Sequence, residues 1–293
     1  MRAVSDGAAP ADGEAERRTR PLRAGERVLL LDRKNRRHLV RLAEGGSFHT
    51  HAGIISHDTM IGGPEGVLVE ARPPSAEPAK RGVPYLVIRP TLADLVIEMP
   101  RGAQVIYPKD LGAILMSADV FPGARVIEAG VGSGALAMAL LRAGASLTSY
   151  ELRPDFAATA RRNVSEVLSA TSPGALDWTL EDKDIYEGIE GGGYDRVVLD
   201  LPEPWRVVEH AERALVTGGI FLAYLPTINQ TAELRARLDE SRFGMAETSE
   251  LLRRTWHVEG RSVRPDHRMV AHTGFLTTAR LLSSRAAGFS PSR

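Results

Sequence analysis

The stretch from residue 124 to residue 142 constrains the fold more than any other part of the chain. An apolar run, Ala124-Arg125-Val126-Ile127-Glu128, passes through Ala129-Gly130-Val131-Gly132-Ser133-Gly134 into an Ala- and Leu-rich segment, Ala135 to Arg142. The first run reads as a buried strand and the last as a helix. The glycines between them allow a tight turn and a close approach of backbone to ligand at the carboxyl edge of a sheet. The same alternation continues downstream. The pattern predicts strands near 147–151, 176–180, 194–200 and 219–225, and helices near 154–168 and 229–241, with Pro154 at a helix start where its missing N–H costs nothing. Strands alternating with helices imply a parallel sheet covered on both faces, a doubly wound, Rossmann-like α/β domain.

The part before residue 91 has a different texture. Val28-Leu29-Leu30-Leu31, His38 to Leu42, Gly66 to Val69 and Tyr85 to Ile88 are short apolar runs separated by Gly, Pro, Asp and Asn, which predicts a small N-terminal β domain over 21–90. Residues 1–20 carry almost no large apolar side chain and read as a disordered tail, leaving 91–293 as the catalytic domain. No run approaches the roughly 20 apolar residues of a membrane span, and the start has no apolar signal core, so a cytoplasmic protein is expected. With 0 cysteines, a disulfide framework, a zinc ribbon and a thiolate nucleophile are excluded. The zero net charge hides unlike parts. Residues 101–226 carry 11 basic and 17 acidic side chains, whereas 227–293 carry 11 and 7. An acidic middle with a basic flank is compatible with a polyanion bound around a carboxylate-rich site, and equally with an ordinary solvated surface.

The glycine loop fits two cofactors. With Ala135 it completes G-x-G-x-x-A, the pattern of nicotinamide binding, and in either case Glu151, about 20 residues on, would bind ribose hydroxyls. Glu128 tilts the choice. A carboxylate at the end of the first strand would repel a pyrophosphate but hold the ammonium group of a methionine moiety, which favours S-adenosylmethionine. Asp184, after the third strand, stands where an adenine amine needs an acceptor; the alternative is a turn or helix-capping aspartate. Asp200-Leu201-Pro202-Glu203-Pro204-Trp205 is the most specific stretch. Its two prolines end the preceding strand in a rigid loop that presents Asp200. A carboxylate beside a flat pocket can accept a hydrogen bond from an adenine N6 amine and so raise electron density at N1.

Together these residues resemble a known family, the S-adenosylmethionine-dependent tRNA (adenine58-N1)-methyltransferases in their single-gene, homo-oligomeric bacterial and archaeal form. The resemblance runs from about residue 25 to 283. It rests on Gln104-Val105-Ile106-Tyr107-Pro108-Lys109-Asp110, the glycine loop, the Asp200–Trp205 loop, and Arg264-Pro265 followed by Ala271-His272-Thr273-Gly274-Phe275-Leu276, with His57-Asp58-Thr59-Met60-Ile61-Gly62 in the small domain. It implies methyl transfer to N1 of the T-loop adenosine, with Asp200 engaging N6 and Tyr107 near the methyl donor and target base. Glu151 would then hold the cofactor ribose, Asp184 and Ile185 its adenine, and Glu128, Gly130, Val131, Gly132, Ser133 and Gly134 its methionine end. Gln104, Val105 and Ile106 would line the same pocket. The partners implied are tRNA and further copies of the chain as a homotetramer. Phe156 stands where other members can carry a polar contact.

Methyl transfer from a sulfonium is an in-line displacement, which suits a chain without a conspicuous nucleophile. Arg33-Lys34-Asn35-Arg36-Arg37-His38 and Arg253, Arg254, Arg261, Arg264 and Arg268 are candidate RNA contacts. No metal is expected, although His49, His51 and His57 are closely spaced. Trp205, His257 and His272, the last in an apolar strand context, have either substrate-side or packing roles. Two rival readings are a nicotinamide-dependent oxidoreductase and a non-catalytic RNA-binding subunit of a methyltransferase complex. Intact Glu151, Asp184 and Asp200 argue against the second.

Overall fold

The computed structural model describes residues 20–73, 82–99, 104–168 and 176–284. The expected tail lies outside these residues except for Arg20. Contacts divide the chain into two compact units, with the boundary after Glu98.

In the first unit, β1 (Arg27–Leu31), β2 (Arg37–Arg41), β5 (Val67–Ala71) and β6 (Val83–Ile88) form an antiparallel sheet in the order β2-β1-β6-β5, and β3 (Ser47–Thr50) pairs with β4 (Gly53–Ser56) as a hairpin. Val28, Leu30, Val40, Ile55, Met60, Tyr85 and Val87 pack into one core. The β1–β2 turn is built by Asp32, whose Oδ1 accepts from the Lys34 and Arg36 amides at 2.8 and 2.9 Å, which leaves Arg33 and Lys34 exposed at its tip. His57 and Asp58 tie down the loop before β3, accepting from the Ala43 and Gly45 amides. A short helix, α1 (Leu92–Glu98), starts at a Thr91/Asp94 capping pair in which each side chain accepts from the other's amide.

The second unit is built on a seven-stranded sheet. β7 (Arg125–Ala129), β8 (Ser146–Tyr150), β9 (Trp178–Glu181), β10 (Tyr194–Leu199) and β11 (Leu215–Leu225) are parallel. β12 (Phe243–Glu250) and β15 (Phe275–Leu281) complete the sheet in the order β12-β15-β11-β10-β7-β8-β9, with β15 antiparallel to both neighbours. α2 (Pro108–Ser117), α3 (Ala135–Arg142), α4 (Pro154–Leu168), α5 (Val208–Ala214) and α6 (Ile228–Asp239) accompany it. Between β12 and β15 the chain leaves the sheet to form the hairpin β13 (Trp256–Glu259) and β14 (Ser262–Pro265). Strand order reverses between β7 and β10, so the carboxyl ends of these two strands flank the crevice where such sheets bind ligands. β7 and β10 are buried along most of their length, as central strands covered on both faces must be.

The expected α/β class with its small N-terminal β domain holds. Each strand and helix expected between 124 and 241 is present. The sheet is mixed rather than wholly parallel, because β15, which lacks an uninterrupted apolar run, is inserted antiparallel between β11 and β12. β12 alternates exposed and covered side chains, Met245, Glu247 and Ser249 among them, as an edge strand does. His272 is not in a strand: it is an exposed residue of the loop leading into β15. No helix among the described residues is long and apolar enough to cross a membrane.

Candidate active site

The site begins where two chain reversals meet. Gly130, Gly132 and Gly134 all have positive φ, +84°, +54° and +87°. At Gly130 the reason is contact: a Cβ there would lie 2.0 Å from the Asp200 carbonyl oxygen. The Asp200 amide in turn donates to the Ala129 carbonyl at 2.9 Å, so the loops after β7 and β10 lie back to back. Two buried side chains lock the glycine loop from outside. Glu151, at the end of β8, accepts from the Gly132 amide at 3.1 Å and the Arg153 amide at 3.0 Å. Asn163, on α4, donates to the Ser133 carbonyl at 3.0 Å. Val131 and Ser133 are buried as well.

Two acids near these loops are in unusual condition. Glu128 is fully buried in β7; its Oε2 accepts from the Ser149 hydroxyl at 2.6 Å, and that hydroxyl accepts from the Trp178 indole at 2.9 Å. Its Oε1 has no hydrogen-bond partner. Burial pushes the Glu128 carboxyl up to about 7, the Ser149 hydrogen bond opposes the shift, and the nearby Asp200 and Glu151 charges add to it. Burial also raises Asp200 to about 7. A positive charge brought close to these two carboxyls would favour both carboxylate forms.

The Asp200–Trp205 loop is rigid for reasons beyond its prolines. Gln230 donates to the Pro202 carbonyl at 2.9 Å, the Glu203 amide donates to the Tyr186 hydroxyl at 3.2 Å, and the Arg206 guanidinium lies 3.9 Å over the Tyr186 ring. Trp205 packs against the main core, which supports its packing role. Asp184 caps the short turn Ile185–Glu187 through the Tyr186 amide at 2.9 Å, which uses one of its oxygens, while Ile185 is buried. Direct contacts therefore join Gly130 and Gly132 to Asp200 and Glu151. Asp184 and Ile185 connect to the Asp200 loop through the Tyr186 hydroxyl, which accepts from the Glu203 amide, and through the core that Ile185 shares with Leu201 and Trp205.

Val105 and Ile106 are buried, Gln104 is exposed, and Tyr107 occupies the position before α2 with no hydrogen bond from its side chain to Asp200. Phe156 is covered by the Arg153 guanidinium at 3.8 Å. Sequence reasoning missed Ser149 and Asn163, which carry no motif, and the bonding of Lys109 to Asp110 and Thr273 at 2.7 and 2.6 Å, which joins two distant stretches of the chain. Among the described residues no three metal-ligating side chains cluster, and the His49 ring pairs with Ser47.

Strand order, glycine loop and paired acids define a class of protein, the S-adenosylmethionine-dependent methyltransferases. Solved structures agree. A Thermotoga maritima protein described as a SAM-dependent O-methyltransferase superposes with a TM-score of 0.83 at 33% identity, covering 94% of this chain and 98% of that one. The tRNA (m1A58) methyltransferase TrmI of Aquifex aeolicus superposes at 0.78 with 28% identity over 90% and 100%. Family models narrow the class: residues 84–265 match the tRNA methyltransferase complex GCD14 subunit and residues 21–69 the TrmI-like N-terminal region. The tRNA (adenine(58)-N(1))-methyltransferase TrmI of Thermus thermophilus is 37% identical over 262 residues, 86% of this chain and 96% of that protein. The Methanocaldococcus jannaschii enzyme, named for adenines 57 and 58, is 33% identical over 86% and 94%. The chain belongs to the TrmI family of S-adenosylmethionine-dependent tRNA (adenine-N1)-methyltransferases. Neither rival reading finds support among these relatives.

Proposed function

We propose that this enzyme methylates N1 of the adenosine at position 58 in the tRNA T-loop, and that Asp200 is the residue that engages the target base. The observation that carries the assignment of Asp200 is its position. It ends β10 at the switch point, its backbone is fixed on both sides, and its carboxyl is held near neutral range by burial. As a carboxylate it accepts the N6 hydrogen bond and assists proton loss, which makes N1 the better nucleophile. S-adenosylmethionine supplies an activated methyl group on a sulfonium centre. Glu128 and the Gly130–Gly134 loop hold its methionine end, Glu151 its ribose hydroxyls, Asp184 and Ile185 its adenine, and Gln104 to Tyr107 border the pocket.

The functional test is mass spectrometry of nucleosides from an unmodified tRNA transcript incubated with enzyme and S-adenosylmethionine, alongside transcripts lacking adenine 58 or adenine 57. 1-Methyladenosine in the first transcript and its loss with adenine 58 support the reading. Product that survives removal of adenine 58 and disappears with adenine 57 overturns it.

A pH dependence follows from the two acids. In the window between their ordinary values and about 7, Glu128 and Asp200 stay protonated in the folded protein but not in the unfolded chain. The ligand-free enzyme therefore loses stability as pH rises through that window. A bound cation favours the carboxylates, so affinity for S-adenosylmethionine rises with pH through about 7 and binding releases protons. Calorimetry in buffers of different ionisation enthalpy, at about pH 6 and pH 8, reads both effects. An affinity and proton count that do not change with pH would refute this account.

The second unit carries catalysis in this reading, and the small β domain over 21–90 supplies part of the RNA surface. Arg33 and Lys34 at the β1–β2 tip and Arg253, Arg254, Arg261, Arg264 and Arg268 around the β13–β14 hairpin are exposed. Each lost phosphate contact would lower the salt slope of RNA binding by about one. The same hairpin exposes Trp256, Val258 and Val263, 58%, 71% and 61% accessible, an apolar face suited to a second copy of the chain. A homotetramer in the cytoplasm completes the proposal, and light scattering of the purified protein would show a monomer if it is wrong.

A further inference from the structure

One peptide group in the loop that presents Asp200 is gripped at both ends by side chains. Pro202 and Glu203 share this peptide plane, and in a trans bond its carbonyl and N–H point to opposite sides. The carbonyl accepts from Gln230 Nε2 at 2.9 Å, and the N–H donates to the Tyr186 hydroxyl at 3.2 Å. The flanking prolines do not fix this plane. Their rings set φ at 202 and 204, whereas the plane turns about ψ of Pro202 and φ of Glu203. Its orientation therefore falls to Tyr186 and Gln230.

Both side chains are themselves held. In the first turn of α6, Gln230 Oε1 accepts from the Thr227 hydroxyl at 2.6 Å, which aims the amide nitrogen at the Pro202 carbonyl. Tyr186 is fixed by its own backbone. Its amide donates to Asp184 at 2.9 Å, and its carbonyl lies 3.0 Å from His210 Nε2. The Arg213 guanidinium, which can only donate, meets His210 Nδ1 at 2.6 Å, so Nε2 carries the proton that Tyr186 accepts. With Arg206 over the ring at 3.9 Å, little freedom is left to Tyr186. One peptide group thus joins the segments that follow β9, β10 and β11.

That peptide lies two residues beyond Asp200, whose own amide is bonded to the Ala129 carbonyl at 2.9 Å. Asp200 is held upstream by backbone and downstream by the side-chain grip. We propose that Tyr186 and Gln230 are positioning residues for methyl transfer, which fix the Pro202–Glu203 peptide plane and thereby the direction in which the loop presents Asp200. This rests on the reading of Asp200 given above.

Tyr186→Phe keeps the ring under Arg206 and the bond to Asp184, and removes only the hydroxyl. Gln230→Met keeps length, helix propensity and the Thr227 cap, and removes the amide. Each should slow single-turnover methyl transfer roughly ten- to a hundredfold at saturating tRNA and S-adenosylmethionine, with both affinities unchanged. The double variant should be no slower than the slower single one, since both release the same plane. Hydrogen exchange gives a direct reading. The Glu203 amide is the single backbone N–H between Leu201 and Trp205, because 202 and 204 are prolines, and it should exchange faster in Tyr186→Phe.

A wild-type single-turnover rate in both folded variants overturns the proposal, as do losses that multiply in the double variant. So does a defect confined to S-adenosylmethionine or tRNA affinity. A purely structural role would lower the melting temperature of both variants and leave the saturated rate alone, and that result also refutes it. If Tyr186→Phe fails to fold, Gln230→Met decides alone, and a normal rate there is a refutation. Asp200→Asn separates the two readings: full turnover in that variant defeats the assignment of Asp200, whereas an inactive Asp200→Asn beside normal Tyr186→Phe and Gln230→Met defeats this inference only.

Discussion

Asp200→Asn is expected to lower kcat by roughly 10²- to 10⁴-fold, the range assigned to a positioned acid or base. Binding of S-adenosylmethionine should survive. The asparagine keeps the size of the side chain and the backbone bond from residue 200 to the Ala129 carbonyl, so the glycine loop is undisturbed. What it removes is the charge. Because Asp200 adds to the upward shift of Glu128, its neutralisation makes Glu128 easier to ionise, and cofactor affinity near neutral pH should hold or rise slightly. The pH profile gives an independent reading. In the wild-type enzyme kcat/KM, which reports free enzyme, should climb with pH through about 7, where Asp200 ionises. The limb in kcat should lie lower, because a cation bound alongside favours the carboxylate. Asp200→Asn should lose the kcat limb while Glu128 still shapes kcat/KM. Steady-state kinetics with calorimetric affinities checks all of this. A variant with full kcat would remove Asp200 from the chemistry.

The parts of this molecule legible in sequence are those where one physical demand overrides all others. Central parallel strands must be apolar along their length, so β7, β10 and the end of β11 announced themselves, as did the glycine loop, where side chains are barred by contact or by φ. Edge elements escape such reading. β12 mixes Thr, Ser and Glu with small apolar residues, and α2 carries Gly112 in its middle, which weakens its helical signal.

The site divides in the same way. Glu128, Glu151 and Asp200 are visible as acids at strand ends, but the distinct states of these carboxylates are not. Glu151 takes an amide hydrogen bond from Gly132, 19 residues away, while Glu128 has one oxygen on Ser149, 21 residues away, and the other orphaned. Ser149 and Asn163 are ordinary residue types whose importance lies wholly in what stands opposite them. Lys109, Asp110 and Thr273 lie inside quoted motifs, yet 163 residues separate the last two, and only the fold shows that these motifs form one structure.

Gly130→Ala is expected to damage fold and site together, and Gly132→Ala supplies its control for stability. Both glycines have positive φ, where a non-glycine residue costs about 1–2 kcal/mol. At Gly132 that is the whole effect, because nothing lies within 4 Å of the added Cβ. At Gly130 the Cβ meets the Asp200 carbonyl oxygen at 2.0 Å, and the obstacle is backbone rather than the end of a flexible side chain. Relief requires the loops after β7 and β10 to separate, which breaks the Asp200–Ala129 hydrogen bond and displaces the catalytic carboxylate from the cofactor loop. The total should be on the order of 3–5 kcal/mol, with cofactor affinity and turnover lost together. Thermal melts without ligand distinguish the pair: Gly130→Ala should melt well below Gly132→Ala, which carries only the cost of its backbone conformation. Equal melts for the two variants would mean that the back-to-back contact does not hold the site together. The glycines would then serve only the conformation of their own loop.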